Sequence, residues 1–74
     1  SNSNILVYPN PFSSHIQLYH FDYPATYVLY STSGQIIYSG AAVANQDFSY
    51  LPPDLYFLRV ITAHSENMLK LVKQ

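Results

Sequence analysis

The side chains able to do chemistry are few. Four carboxylates, Asp22, Asp47, Asp54 and Glu66, and three histidines, His15, His20 and His64, stand among 74 residues. Two carboxylates held across a cleft would make a glycosidase-type acid/base couple. All four acids fall in or beside expected turns, and a chain this short has little room for a cleft, so they read as surface turn residues. Histidines sharing a face would make a metal site. His15 and His20 lie five residues apart on one expected strand, a spacing that sends them to opposite faces. His64 sits in an expected turn. A serine–histidine–aspartate set can be drawn on paper, but no nucleophile-elbow glycine pattern supports it. There is no glycine-rich phosphate loop and no Asn-x-Ser/Thr acceptor. Without cysteine there is neither a disulfide nor a thiolate zinc site. No metal or cofactor is expected, and no catalytic residue is assigned. Three Lys/Arg and a net charge of −1 exclude a phosphate-backbone partner, so no nucleic acid is expected. The rings remain. Tyr19, Tyr30, Tyr38 and Phe57 on outward faces would make a carbohydrate-binding strip. The plainer reading is that they fill or flank a core.

The elements that must position these groups are strands. Apolar residues alternate in short runs broken by turn residues, a pattern with period 2. Residues 5–8 form a first short strand, which Pro9 and Pro11 must end. Residues 15–20 form a second, with Ile16 and Leu18 opposite Gln17 and Tyr19. Residues 25–30 form a third, with Ala25, Tyr27 and Leu29 on one face. Ser31-Thr32-Ser33-Gly34 is a hairpin turn with Gly34 at positive φ, and residues 35–39 return. Residues 40–45 read as a loop or weak edge strand, and residues 47–50 as a short strand. Residues 55–62 alternate most clearly: Tyr56, Leu58, Val60 and Thr62 face one way, Leu55, Phe57, Arg59 and Ile61 the other. Residues 67–72 form the last strand, apolar on both faces, and therefore either central or an edge prepared for a partner. The expected fold is all-β, a small Ig-like β-sandwich of six to seven mostly antiparallel strands. Residues 1–4 read as a disordered or expression-derived start, and residues 5–74 as one domain.

Composition agrees with a small folded domain. Hydrophobic residues make up 49% of the chain and charged residues 9%, with eight Tyr and four Phe. A disordered tail would be charged and poor in aromatics. No run approaches the roughly 20 apolar residues of a membrane-spanning helix, and no basic-then-apolar leader opens the chain. A domain this small usually needs a staple. Packed rings must stand in for it here.

Four segments, in order, resemble the C-terminal sorting domain of the type IX secretion system of Bacteroidetes. Val7-Tyr8-Pro9-Asn10-Pro11-Phe12 matches the family's opening Y-P-N-P. The run from Leu29 to Ile37, Leu-Tyr-Ser-Thr-Ser-Gly-Gln-Ile-Ile, matches its hairpin. Phe48 to Val60, containing Leu51-Pro52-Pro53-Asp54-Leu55-Tyr56, matches its L-x-x-G-x-Y segment. Lys70-Leu71-Val72-Lys73-Gln74 matches its terminal K-l-v-k. Two positions depart: Ser31 stands where the family commonly has Asp, and Asp54 where it commonly has Gly. A left-handed turn under strain is expected at Asp54. The resemblance implies a non-catalytic address on secreted cargo, in the periplasm in transit and then at the outer membrane, the cell surface or outside the cell. The implied partners are the outer-membrane translocon and its shuttle proteins, a sortase-like peptidase that often removes the domain, and an N-terminal cargo domain in cis. Met68, Leu69, Lys70, Leu71, Val72, Lys73 and Gln74 are expected to form the translocon-recognition element, by strand addition. An exposed last strand also allows self-association. Tyr8, Pro9, Asn10, Pro11, Gly34, Leu51, Asp54 and Tyr56 are expected to be motif and fold determinants. Two other readings stand beside this one. One is an accessory carbohydrate-binding or adhesive β-sandwich module of a secreted enzyme, and the other is an Ig-like spacer.

Overall fold

The computed structural model describes residues 5–19 and 24–74. His20 and Asp22 lie outside the described residues, as does the segment 1–4 set aside above. Among the described residues there are six strands: β1 (Leu6–Tyr8), β2 (Gln17–Tyr19), β3 (Thr26–Ser31), β4 (Ile36–Gly40), β5 (Asp54–Ile61) and β6 (Glu66–Lys73). They make two antiparallel sheets, β1-β2 and β4-β3-β5-β6. The all-β architecture is as expected, and it is compatible with an Ig-like sandwich.

The alternation in β5 decides its orientation. Tyr56, Leu58 and Val60 are buried on the inner face, while Leu55, Phe57, Arg59 and Ile61 are half-buried on the outer. In β3, Tyr27, Val28 and Leu29 are all buried. β3 is an inner strand of its sheet, flanked at its two edges by β4 and β5, and Tyr27 and Leu29 belong to the core cluster. The sheet opposite is only two strands wide, so Val7 and Leu18 cover part of the core and loops must cover the rest. Phe12, Ile16, Val43, Phe48 and Leu51 do this; all are buried and none belongs to a strand.

Three local expectations are refined or corrected here. Gly40 closes β4, and the rest of the 40–45 segment is a loop and not an edge strand. It contains a single 3-10 turn, Val43–Asn45, which plants Val43 in the core. The 47–50 segment is not a strand. Its backbone turns back on itself, with Ser49 N donating to Asp47 Oδ1 at 3.0 Å and Leu51 N to Phe48 O at 3.0 Å. This conformation lets Phe48 enter the core against Tyr38, ring centroids 6.3 Å apart and edge-on. Asp54, finally, is not in a left-handed turn. No residue other than glycine has positive φ among the described residues, and Asp54 opens β5 opposite Lys73. Its carboxylate accepts the Leu55 N–H at 2.7 Å.

The β3–β4 turn is built as expected. Gly34 has φ +89°, and its N–H donates to Ser31 O at 3.0 Å. Ser31 Oγ accepts the Gln35 N–H at 3.2 Å. A hydroxyl oxygen thus holds the turn where the resembled family commonly has a carboxylate.

Candidate functional site

β6 pairs with β5 along its whole length, from Ile61↔Glu66 to Asp54↔Lys73, and lies at the edge of the four-stranded sheet. It is not alike on its two faces, contrary to the pattern read from its composition. Leu71 and Lys73 are buried, and Leu69 packs against the core. Glu66, Met68, Lys70 and Val72 face solvent. Lys73 Nζ donates to the Gln74 carbonyl at 2.9 Å, so Lys70 is the more accessible of the two lysines of β6. Gln74 is exposed.

The outer backbone edge of β6 is partly occupied. Phe12 runs parallel to Lys73 in a single bridge. Phe12 N donates to Val72 O at 2.8 Å, and Gln74 N donates to Phe12 O at 2.9 Å. Val72 N donates to the Asn10 side-chain oxygen at 2.9 Å, and Asn10 Nδ2 reaches Lys70 O at 3.4 Å. A side-chain amide carries the same donor and acceptor as a peptide group, so Asn10 extends the bridge by imitating one more strand residue. Pro9 and Pro11 have no N–H to offer a further strand. The segment therefore covers an edge that would otherwise invite pairing. Phe12 seals it from inside: its side chain is fully buried, edge-on to Tyr56 at 6.4 Å. Strand addition along residues 68–74, as expected from sequence, meets this covered edge from Lys70 onwards. Among the described residues, the stretch of β6 without a cover lies nearer its start.

The other fold determinants lie around this contact. Leu51 is buried. Tyr56 OH donates to Pro52 O at 2.7 Å, a bond back to the preceding corner like the tyrosine corner of Ig-like sandwiches. Burial raises the Tyr56 phenol above its ordinary pKa. Tyr8, Pro9, Asn10 and Pro11 are exposed, so the segment acts through its backbone and the Asn10 amide. Phe12 belongs to the opening motif, but the sequence alone does not single it out as this buried anchor. A large ring directly after a proline pair was the available signal. The pairing of Arg59 with Glu66 was also missed. Arg59 ion-pairs with Glu66 Oε2 and donates to Tyr30 OH at 3.3 Å. The Tyr30 bond first, and then Glu66, raise the Arg59 guanidinium above its already high ordinary value.

The chemical candidates stay dispersed. His15, His64, Asp47 and Asp54 are exposed. No three metal-ligating side chains cluster among the described residues. A groove of about 500 Å³ between the β3–β4 turn and residues 50–54 holds one carboxylate, Asp54, and no histidine. Nor do the four outward rings form one strip. Tyr30 and Phe57 are paired neighbours on β3 and β5. Tyr38 packs inward on Phe48, and Tyr19 lies in the other sheet opposite Leu6.

A family model described as a secretion system C-terminal sorting domain matches residues 6–74. The match takes in both sheets and both partners of the covered edge, and the chain belongs to that family. It is a sorting domain of type IX secretion, a family non-catalytic in general. Its role is to engage that machinery for delivery to the cell surface or beyond. No curated protein matches the chain.

Proposed function

We propose that the domain is a non-catalytic address read at the outer face of β6, carrying an N-terminal cargo through the periplasm to the outer-membrane translocon. The observation that supports this reading is the two-sidedness of the strand. Leu69, Leu71 and Lys73 anchor it, while Met68, Lys70, Val72 and Gln74 present side chains that a receptor reaches without unfolding the domain. Lys70 supplies a charge for acidic groups, and Met68 and Val72 supply apolar contacts. Shuttle proteins of the outer membrane and a sortase-like peptidase act after this reading, the peptidase cutting ahead of the folded sheet.

The test is a fusion of residues 1–74 to a periplasmic reporter in a type IX-competent bacterium. The intact domain is expected to deliver the reporter to the surface. The double substitution Lys70→Glu, Val72→Glu alters only the outer face and is expected to leave the reporter in the periplasm, with the domain's melting transition retained. Unchanged delivery by that folded variant would remove the outer face of β6 from recognition.

A further inference from the structure

We infer that the uncovered stretch of β6 is a self-complementary edge, at which a second copy of this chain adds as an antiparallel strand about a two-fold axis through Met68. The argument starts from alternation. Backbone groups of an antiparallel strand point alternately to its two neighbours. Val72 points outward, since its N–H and C=O meet Asn10 and Phe12. Lys70, Met68 and Glu66 therefore point outward too. Lys70 O is reached by Asn10. The outward groups of Met68 and Glu66 meet no partner among the described residues.

The open length suits a second β6. About an axis through Met68, Met68 faces Met68, and Glu66 of each copy faces Lys70 of the other. Beyond Glu66 the chain of the second copy turns away, because Thr62 N and Ser65 O close a reverse turn at 2.8 Å. That turn falls where Asn10 begins to occupy the edge. The Asn10 contact to Lys70 O is long at 3.4 Å and leaves that carbonyl's second lone pair for the Glu66 N–H of the other copy, so the two copies pair over residues 66–70 and stop at each other's covered segment.

The side chains agree with this register. Glu66, Met68 and Lys70 share the solvent-facing side of the sheet, and opposite charges directly across an antiparallel pair are favourable. Arg59 engages Glu66 through Oε2, which leaves Oε1 for Lys70 of the second copy. Met68 is 56% exposed and borders an apolar groove of about 270 Å³ with Tyr30 and Phe57. The paired Met68 side chains cover one another beside that groove. The interface is isologous and closes at two copies.

Sedimentation equilibrium across a dilution series of residues 1–74 tests the pairing. The unaltered chain is expected to show a reversible monomer–dimer transition. Lys70→Glu breaks no ion pair among the described residues and sets carboxylates face to face twice. It should raise the dimer dissociation constant about tenfold or more. Glu66→Lys should do the same by opposing two lysines. The double variant Glu66→Lys, Lys70→Glu restores opposite charges across the axis and should recover most of the affinity. Melting curves confirm that each variant is folded. A monomeric unaltered chain up to about millimolar concentration, at which ordinary weak dimers form, overturns the inference. So does a Lys70→Glu dimer of unchanged affinity, or a folded double variant without recovery.

Discussion

The covered edge makes a prediction that can be worked through atom by atom. Asn10→Ala removes the acceptor 2.9 Å from Val72 N and the donor 3.4 Å from Lys70 O. A hydrogen bond contributes about 0.5–1.5 kcal/mol net. The first bond has ordinary length, whereas the second lies beyond the usual N–H···O range of about 3.2 Å and adds little. Asn10 and Val72 are both exposed, so water takes up the released amide and no buried unsatisfied group is left. The loss is about 1 kcal/mol, which lowers the melting temperature of a domain this size by about 4–8 °C. Amide hydrogen exchange separates this loss from a general weakening. Val72 N–H has the Asn10 side chain as its partner, so in the variant its protection should collapse towards that of an open amide. Leu71, whose backbone points to β5, feels only the drop in overall stability, and its exchange should rise no more than about fivefold. Asn10→Asp keeps the acceptor and should keep Val72 protected. Unchanged protection at Val72 in folded Asn10→Ala would refute the reasoning, because the side chain could not then be the strand mimic described above.

Three further outcomes follow from other parts of the fold. At Gly34, φ is +89° and an added Cβ meets nothing within 4 Å. Gly34→Ala should therefore lose only the conformational term, about 1–2 kcal/mol by urea denaturation, and Gly34→Asn should lose less. Tyr56→Phe deletes the bond to Pro52 O and should cost about 1 kcal/mol by the same measurement, with the β5–β6 amides still protected. Hydrogen bonds from Ser49 hold the Asp47 carboxyl below its ordinary value. A depressed folded value means stability that is present above the unfolded pKa of about 3.9 and lost as pH falls through the folded one. Asp47→Asn should therefore flatten the fall in melting temperature between about pH 4 and pH 2.

What was legible in the sequence is what a single segment can encode. The faces of β5 followed from alternation, because one of its faces is buried and the other is not. The β3–β4 turn followed from Gly34, since few other residues tolerate that backbone. What was not legible depends on remote neighbours. The Val43–Asn45 turn is shorter than any period that could betray it. Phe48 reads as a strand residue until one sees that the two-stranded sheet leaves a gap that only a loop can fill. Asp54 was expected to be strained because a glycine is usual there. Pairing with Lys73 instead draws it into the strand. At the candidate site, composition leaves β6 as either central or an edge; the structure puts it at the edge, and its cover is not readable from sequence. Asn10 bonds to residues 60 and 62 positions away, and such a contact leaves no mark on the residues beside it.

That cover also governs how the domain bears load. Phe12 and Lys73 run in the same direction, so tension drawn between the two ends of the chain slides these segments past each other. The Phe12–Val72 and Gln74–Phe12 bonds then lie across the pull and share it, where an unzipping hairpin would present its bonds one after another. A pull applied on the N-terminal side of Phe12 meets resistance at this clasp, while loss of the Asn10 contacts removes one of its fastenings. Mechanical strength and release thus converge on the same few atoms.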